Sequence, residues 1–224
     1  MKPRVAIVVF PGSNCEQDCR RAFEALGART ELVWHEERHL PANDVVVLPG
    51  GFAHGDYLRT GAIARFSPVM EAVRDQSHEG GLVMGICNGF QILCEAGLLP
   101  GALRRNAGLK FICKWVDVRV EEDTPFTSNA RPGQTLRMPI NHFEGSWHCA
   151  PQELARLQDN GQIVLRYVDN PNGSLDSVAG VMDADRRVLG LMPHPERACD
   201  AGLGSIDGSL LLRSCLSAAA LTVG

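Results

Sequence analysis

The segment Gly85-Ile86-Cys87-Asn88-Gly89 is the part of this chain best suited to covalent chemistry. The strand-like Leu82-Val83-Met84 precedes it and the helical pattern Phe90-Gln91-Ile92-Leu93-Cys94 follows, so the cysteine falls at a strand-to-helix turn. Glycines two residues to either side let the backbone turn sharply without side-chain clashes, which lifts the sulfur above the sheet. The sulfur also stands at a helix N-terminus, where the positive end of the helix dipole favours a thiolate. This has the form of a nucleophile elbow with cysteine in place of serine. The bland alternative is a glycine-rich turn around an inert buried thiol.

A thiolate that attacks a carbonyl carbon needs a proton carrier. Of the seven histidines, His194 suits best, because Pro193-His194-Pro195-Glu196 follows the strand-like Val188-Leu189-Gly190-Leu191-Met192 and so lies at a strand end, as Cys87 does. Pro195 biases His194 toward extended geometry, which projects His194 and Glu196 to the same side. Glu196 is then placed to orient the imidazole and stabilise its charged form. A rigid surface turn would read the same way. Acyl chemistry also needs donors for a developing oxyanion. The backbone N–H of Asn88, just after the nucleophile, is one; that of Gly51, in Pro49-Gly50-Gly51-Phe52, is a second unless that segment is only a tight turn.

The elements that must position these groups alternate. Val5 to Phe10, Glu31 to Trp34, Asp44 to Leu48 and Leu82 to Ile86 are strand-like. Helical patterns lie between them: one capped by Asn14 and stopped at Gly27, one over Ala62 to Asp75, and one beginning after Cys87. The unbroken apolar run Val45-Val46-Val47-Leu48 implies burial on both faces, hence a parallel sheet between helices. Beyond Leu109 the texture changes. Phe111 to Val120, Leu136 to Ile140, Ile163 to Val168, Ser177 to Met182 and Arg187 to Leu191 read as strands with few helices between them, and Asp207 to Leu221 as a closing amphipathic helix. The expected architecture is α/β, a three-layer α/β/α sandwich with a mostly parallel central sheet and a mixed or antiparallel extension in the C-terminal half. Two strands end in Pro-Gly, at Pro11-Gly12 and Pro49-Gly50, which places both turns at the carboxyl edge where open α/β sheets bind ligands.

A length of 224 residues suits one domain, and 45% hydrophobic with 21% charged residues excludes disorder and fibrous repeats. The net charge of −4 is spread without any basic block, so binding to nucleic acid or an anionic membrane is not expected. The N-terminal apolar run stops at Pro11-Gly12 without a cleavage site, and the apolar C-terminal stretch is broken by Arg213, Ser214 and Ser217. Eight scattered cysteines without a Cys-x-x-Cys suggest reduced thiols in a cytoplasm and no metal site. Cys15 and Cys19 have chelating spacing, but with Ala22, Phe23 and Leu26 they continue a helical apolar stripe, which assigns them to the core.

Taken together, these motifs resemble the class I (triad) glutamine amidotransferases, and within them the glutaminase subunits of phosphoribosylformylglycinamidine synthases. The matching segments are Phe10 to Glu16, Pro49 to Arg59, Gly85 to Gln91, Asn170 to Ser174 and Pro193 to Arg197, so that the likeness spans residues 1–224 as a single flavodoxin-like amidotransferase domain. The resemblance implies a glutamine-hydrolysing enzyme of purine biosynthesis, with Cys87 as nucleophile, His194 as acid/base, Glu196 as orienting acid, Gly51 and Asn88 as oxyanion donors and Gln91 helping to hold the glutamine backbone. It implies no cofactor in this chain, since ATP and magnesium belong to a large synthase subunit that is joined by a small accessory subunit; the lack of a Gly-x-x-x-x-Gly-Lys-Ser/Thr loop agrees. One departure concerns His142-Phe143-Glu144-Gly145, where the family usually has glycine in place of Phe143; this leaves the roles of His142 and Glu144 open. Two rival readings are a different cysteine hydrolase or peptidase on the same elbow, and a non-enzymatic flavodoxin-like module in which Cys87 merely lines a crevice.

Overall fold

The computed structural model describes residues 2–222. In chain order its regular elements are β1 (Arg4–Val9), α1 (Glu16–Ala25), β2 (Arg29–Trp34), β3 (Val45–Leu48), α2 (Val69–His78), β4 (Leu82–Ile86), α3 (Asn88–Glu95), β5 (Ala102–Arg104), β6 (Ile112–Val120), β7 (Thr135–His142), β8 (Ser146–His148), α4 (Pro151–Asp159), β9 (Ile163–Tyr167), β10 (Val178–Met182), β11 (Val188–Leu191) and α5 (Gly208–Thr222). One nine-stranded sheet runs in the order β2-β1-β3-β4-β11-β10-β9-β6-β7, and β5 pairs with β8 in a separate two-stranded sheet.

The first five strands of that order are parallel, and from β11 onward every pairing is antiparallel. The hydrophobic pattern explains the change. β3 and β4 are buried along their whole length, as strands covered on both faces must be. β6 and β7 instead alternate buried with exposed residues, the period of a sheet that faces water on one side. α1 and α5 both pack on the one-turn segment Pro195–Arg197, while α2 and α3 pack on β4. The α/β sandwich with a mixed extension is thus the observed fold.

Three local expectations need correction. The stretch Ala62 to Asp75 is not one helix: a 3₁₀ turn at Ala64–Phe66 ends at Ser67, and α2 begins only at Val69. Pro68 is the cause, since proline drives the residue before it to extended geometry, and Ser67 has ψ 139°. Asn14 does not cap α1. Cys15 occupies that position, and Asn14 Oδ1 accepts a hydrogen bond from its thiol at 3.2 Å. A helix not expected from the sequence, α4, begins at Pro151, which is favoured at a first helical position because its missing N–H would have no partner there anyway.

The topology fixes where chemistry can happen. β1 and β3 are neighbours, with β2 on the far side of β1, so the connections after β1 and β3 part to opposite sides and open a crevice at their carboxyl ends. The turns at Pro11 to Ser13 and Gly50 to Phe52 line that edge, joined by Phe52 N–H to Gly12 O at 2.9 Å and Cys15 N–H to Gly50 O at 3.2 Å.

Candidate active site

The registers of β4 with its neighbours bring the chemistry to one point. Gly85 pairs with Leu48 of β3 and with Gly190 of β11, so the chain leaving β4 rises between the ends of both strands. Cys87 is locked there by its N–H bonded to Leu191 O at 2.8 Å. Its backbone is strained, with φ 52° and ψ −105°, before α3 starts at Asn88. That turn needs Gly89: a β-carbon there would overlap the carbonyl of Leu48, so only glycine lets α3 start against β3. Cys87 is buried at the N-terminus of α3, and its sulfur faces the carbonyl of Asn141 at 3.6 Å.

His194 lies three residues beyond β11, tied by its N–H to Pro139 O at 2.9 Å. Its Nδ1 donates to Glu196 Oε1 at 2.6 Å, and both side chains are sealed from solvent. Burial alone would lower the imidazole pKa, but the Glu196 carboxylate, with Cys87 and Cys15 beside the ring, holds it well above the ordinary value. Nε2 of His194 and Oε2 of Glu196 are buried without a hydrogen bond among the described residues. Nε2 is therefore the ring atom still free to carry a proton to or from substrate.

Cys15 is part of the site although its sequence context places it only in the core. Its stripe partner Cys19 is in the core as expected, but Cys15, one residue before α1, reaches the back of His194. Its sulfur accepts a hydrogen bond from Arg197 Nη2 at 3.1 Å, and Arg197 also donates to Asp18 at 3.1 Å. The ligand-type atoms of Cys15, His194 and Glu196 lie within 4.8 Å of one another, a spacing a metal ion could bridge. Internal partners already take the Cys15 sulfur, through the guanidinium of Arg197, and Nδ1 of His194, through Glu196 Oε1. Gly50 is the floor of this cluster: a β-carbon there would stand 2.8 Å from His194 Cε1 and 3.0 Å from Cys15 Sγ.

The remaining expected residues converge as well. No hydrogen-bond partner among the described residues takes the N–H of Gly51, and Asn88, as the first residue of α3, has an N–H with no partner inside the helix. The Asn88 side chain ties the two donor segments together, accepting from Ala53 N–H at 3.0 Å and donating to Gln91 Oε1 at 2.9 Å. Gln91 Nε2 donates to the carbonyl of Glu144, so Gln91 anchors the 142–145 turn beside the cavity as well as lining it. A cavity of about 110 Å³ opens above Cys87.

The turn that departs from the family pattern adapts simply. His142 is buried and held down to about 4, first by burial and then by the charge of His194; its Nδ1 donates to Asn106 Oδ1 at 3.0 Å. This neutral ring supports the turn from below. Phe143 is 37% exposed and is absent from the residues with left-handed backbone, so nothing in its conformation demands glycine. Its ring lies at the cavity rim under Arg105, 5.9 Å from the guanidinium. Glu144 faces the cavity, accepting from Thr60 Oγ1 at 2.9 Å with Arg105 at 3.6 Å.

Comparisons with known proteins show the family to which the chain belongs. The profile of the CobB/CobQ-like glutamine amidotransferase domain matches residues 2–207. The chain is 54% identical over 217 residues to phosphoribosylformylglycinamidine synthase subunit PurQ of Rubrobacter xylanophilus, covering 96% of this chain and 99% of that protein. It is 56% identical over 213 residues to the PurQ subunit of Thermus thermophilus, covering 92% and 94%. Among solved structures, a chain of PurLQS from Thermotoga maritima superposes with a TM-score of 0.90 at 44% identity, covering 97% of this chain and 99% of that one. A glutamine amidotransferase from Thermotoga maritima, at 17% identity and TM-score 0.58, covers 100% of this chain and 98% of its own and shares the fold.

Proposed function

This chain belongs to the CobB/CobQ-like glutamine amidotransferase family, and from that membership and the geometry around Cys87 we propose the following course for its reaction. It is the glutamine-hydrolysing subunit of a phosphoribosylformylglycinamidine synthase, acting in purine biosynthesis and partnering the synthase subunit that consumes the ammonia. The observation that carries the chemistry is the strained Cys87 at the head of α3, facing a histidine whose far nitrogen is held by a buried carboxylate.

The Cys87 thiolate attacks the side-chain carboxamide carbon of glutamine. The carbonyl oxygen becomes an oxyanion between the N–H groups of Gly51 and Asn88, where preorganised donors stabilise charge most. His194 delivers a proton from Nε2 to the leaving nitrogen, the C–N bond breaks, and ammonia departs, leaving a thioester on Cys87. Water then attacks the thioester as His194 takes its proton, releasing glutamate and the thiol. Glu196 holds the ring orientation and offsets its positive charge throughout. Cys15 and Arg197 brace the imidazole from behind and touch no substrate.

Ammonia must pass to the partner without loss to water. The loop after β3 lines the cavity with Phe52 and, farther along, leaves Tyr57 75% and Leu58 84% exposed. Such an apolar rim beside a reaction centre is suited to being covered by the large synthase subunit. ATP and magnesium act there, with the small accessory subunit completing the assembly. No described helix is long and apolar enough to cross a membrane. The pathway and the eight free thiols favour a cytoplasmic location.

The test is synthesis by the assembled complex with either nitrogen source. Cys87→Ala should abolish the glutamine-dependent reaction and spare the reaction fed with ammonium salts. Loss of both in an intact complex would refute the division of labour. Turnover of peptide or ester substrates without preference for glutamine would favour the other cysteine hydrolase.

A further inference from the structure

The loop after β3 has left-handed backbone at three residues that are not glycine. His54, Asp56 and Leu58 have φ of 54°, 54° and 69°, with Gly55 between them at 67°. Left-handed non-glycine residues cost on the order of 1–3 kcal/mol each and persist where the surroundings hold them for a purpose. What this loop delivers to the cavity is the carboxyl group of Asp56. It lines the same space as Cys87 and Gln91, and its Oδ1 is buried without a hydrogen bond among the described residues.

The cavity holds a second carboxyl group, and the two differ in partners. Glu144 is satisfied by Thr60 and Arg105. Among the described residues Asp56 has no cation and no donor, only burial and the repulsion of Glu144, which together raise its pKa to about 6. The other titratable groups around the cavity do not relieve it. His142 is neutral, Cys87 adds no positive charge, and His54 turns its ring toward His35, with centroids 5.2 Å apart. A half-buried acid whose inner oxygen is an unfilled acceptor, beside a nucleophile for amides, is short of one cationic donor.

We propose that Asp56 is the counter-ion for the α-ammonium group of glutamine, so that it selects an amide carrying an amino group at its far end. This rests on the glutaminase reading and adds the residue that makes that reading specific. A bound ammonium would complete Oδ1, relieve the repulsion from Glu144 and fix the carboxamide over Cys87. Omitting the amino group would leave the acid buried and unpaired, the arrangement that gives polar pockets their strongest discrimination.

The experiment uses the assembled complex, with wild-type protein and Asp56→Asn, and two substrates: glutamine and 4-carbamoylbutanoate, the same amide without its amino group. Asparagine tolerates left-handed backbone, so the loop keeps its path. The expected result is a rise in the glutamine KM of about 10- to 100-fold with kcat changed far less, the loss that fits removing a charged hydrogen bond. The preference of the wild type for glutamine over the analogue should collapse to within a few-fold in the variant. The wild-type KM should also rise as pH falls through about 6, because protonation removes the counter-ion, and this limb should be missing in Asp56→Asn. Ammonium-driven synthesis should be unchanged, and sedimentation should show that the complex is intact. An unaltered KM, equal losses for both substrates, or weakened assembly would overturn the assignment. A wild-type complex that releases no ammonia from glutamine would instead overturn the glutaminase reading itself.

Discussion

Glu196→Gln removes one charge from the relay and leaves a side chain of nearly the same shape in the same buried slot. Oε1 of Glu196 is 2.6 Å from Nδ1 of His194, and neither side chain meets solvent. Opposite unit charges at this separation attract by roughly 6 kcal/mol when the effective dielectric is about 20. Desolvation of both ions offsets much of that attraction. Losing one partner of a buried, hydrogen-bonded charge pair costs on the order of 2–5 kcal/mol, which if realised in the transition state slows turnover by roughly 30- to 5,000-fold. The pH profile adds a sign. His194 is held protonated well above its ordinary range mainly against burial, by Glu196 first. Activity that needs the imidazolium proton therefore falls as pH rises through that raised pKa, and without the carboxylate the fall should move to lower pH. The same linkage acts on stability. A raised folded-state pKa contributes stability below the unfolded value of about 6.5 that is lost as pH climbs through the folded one, so the variant should lose most stability on the acid side. Glutamate release by the complex across pH is the assay. Because the relay acts as a unit, His194→Ala/Glu196→Gln should be little worse than His194→Ala. A loss under about fivefold, an unmoved alkaline limb or multiplicative losses in the double variant would refute the relay.

A diazoketone analogue of glutamine should label Cys87 ahead of the other seven cysteines, since burial pushes the thiols of Cys19, Cys94 and Cys215 up and that of Cys199 to about 12; peptide mass spectrometry with label spread evenly would argue against the elbow. Gly50→Ala should displace the imidazole, because its β-carbon would stand 2.8 Å from His194 Cε1, lowering kcat at least about tenfold and costing about 1–3 kcal/mol of stability by overpacking; unchanged turnover would mean that His194 has room to spare. Tyr57→Lys with Leu58→Lys should weaken binding of the large synthase subunit by about tenfold or more while melting stays within ~0.5 kcal/mol of wild type, as read by sedimentation and thermal unfolding; undiminished assembly would place the partner on another face.

The parts of the site that can be read from sequence are those whose meaning is local. A glycine two residues either side of Cys87 and a proline either side of His194 restrict the backbone by themselves, so the elbow and the His194–Glu196 pair are visible without knowledge of any contact. The closing helix and the strand pattern beyond Leu109 are visible for the same reason, since periodicity records which faces meet water. Cys15 is hidden because an apolar stripe says that a residue is buried and nothing about what it is buried against. It sits one position before the helix, where the chain still turns, and so meets His194 while Cys19 enters the core. Asp56 is hidden for a related reason. An acid in a glycine-containing loop looks solvated, and only the left-handed backbone at His54, Gly55 and Asp56 turns it inward.

The antiparallel extension has a role that strand order conceals. β7 is the far edge of the nine-stranded sheet, four places removed from β11, yet two of its residues reach back over the catalytic pair. Pro139 gives its carbonyl to the N–H of His194, and Asn141 presents its carbonyl to the sulfur of Cys87. A flat sheet could not bring its ninth strand over its fifth; the twist accumulated across four antiparallel pairings can. Proline at position 139 suits this outer edge, where its missing N–H costs no ladder bond. The turn that follows β7 then continues through His142 and Glu144, held by Asn106 below and Gln91 beside it. In the proposed mechanism the parallel half supplies nucleophile, base and oxyanion donors from the ends of its strands, and the antiparallel half folds over to hold Cys87 and His194 from above. A substitution in β7 that relaxed this curl would reach Cys87 and His194 together without touching either side chain.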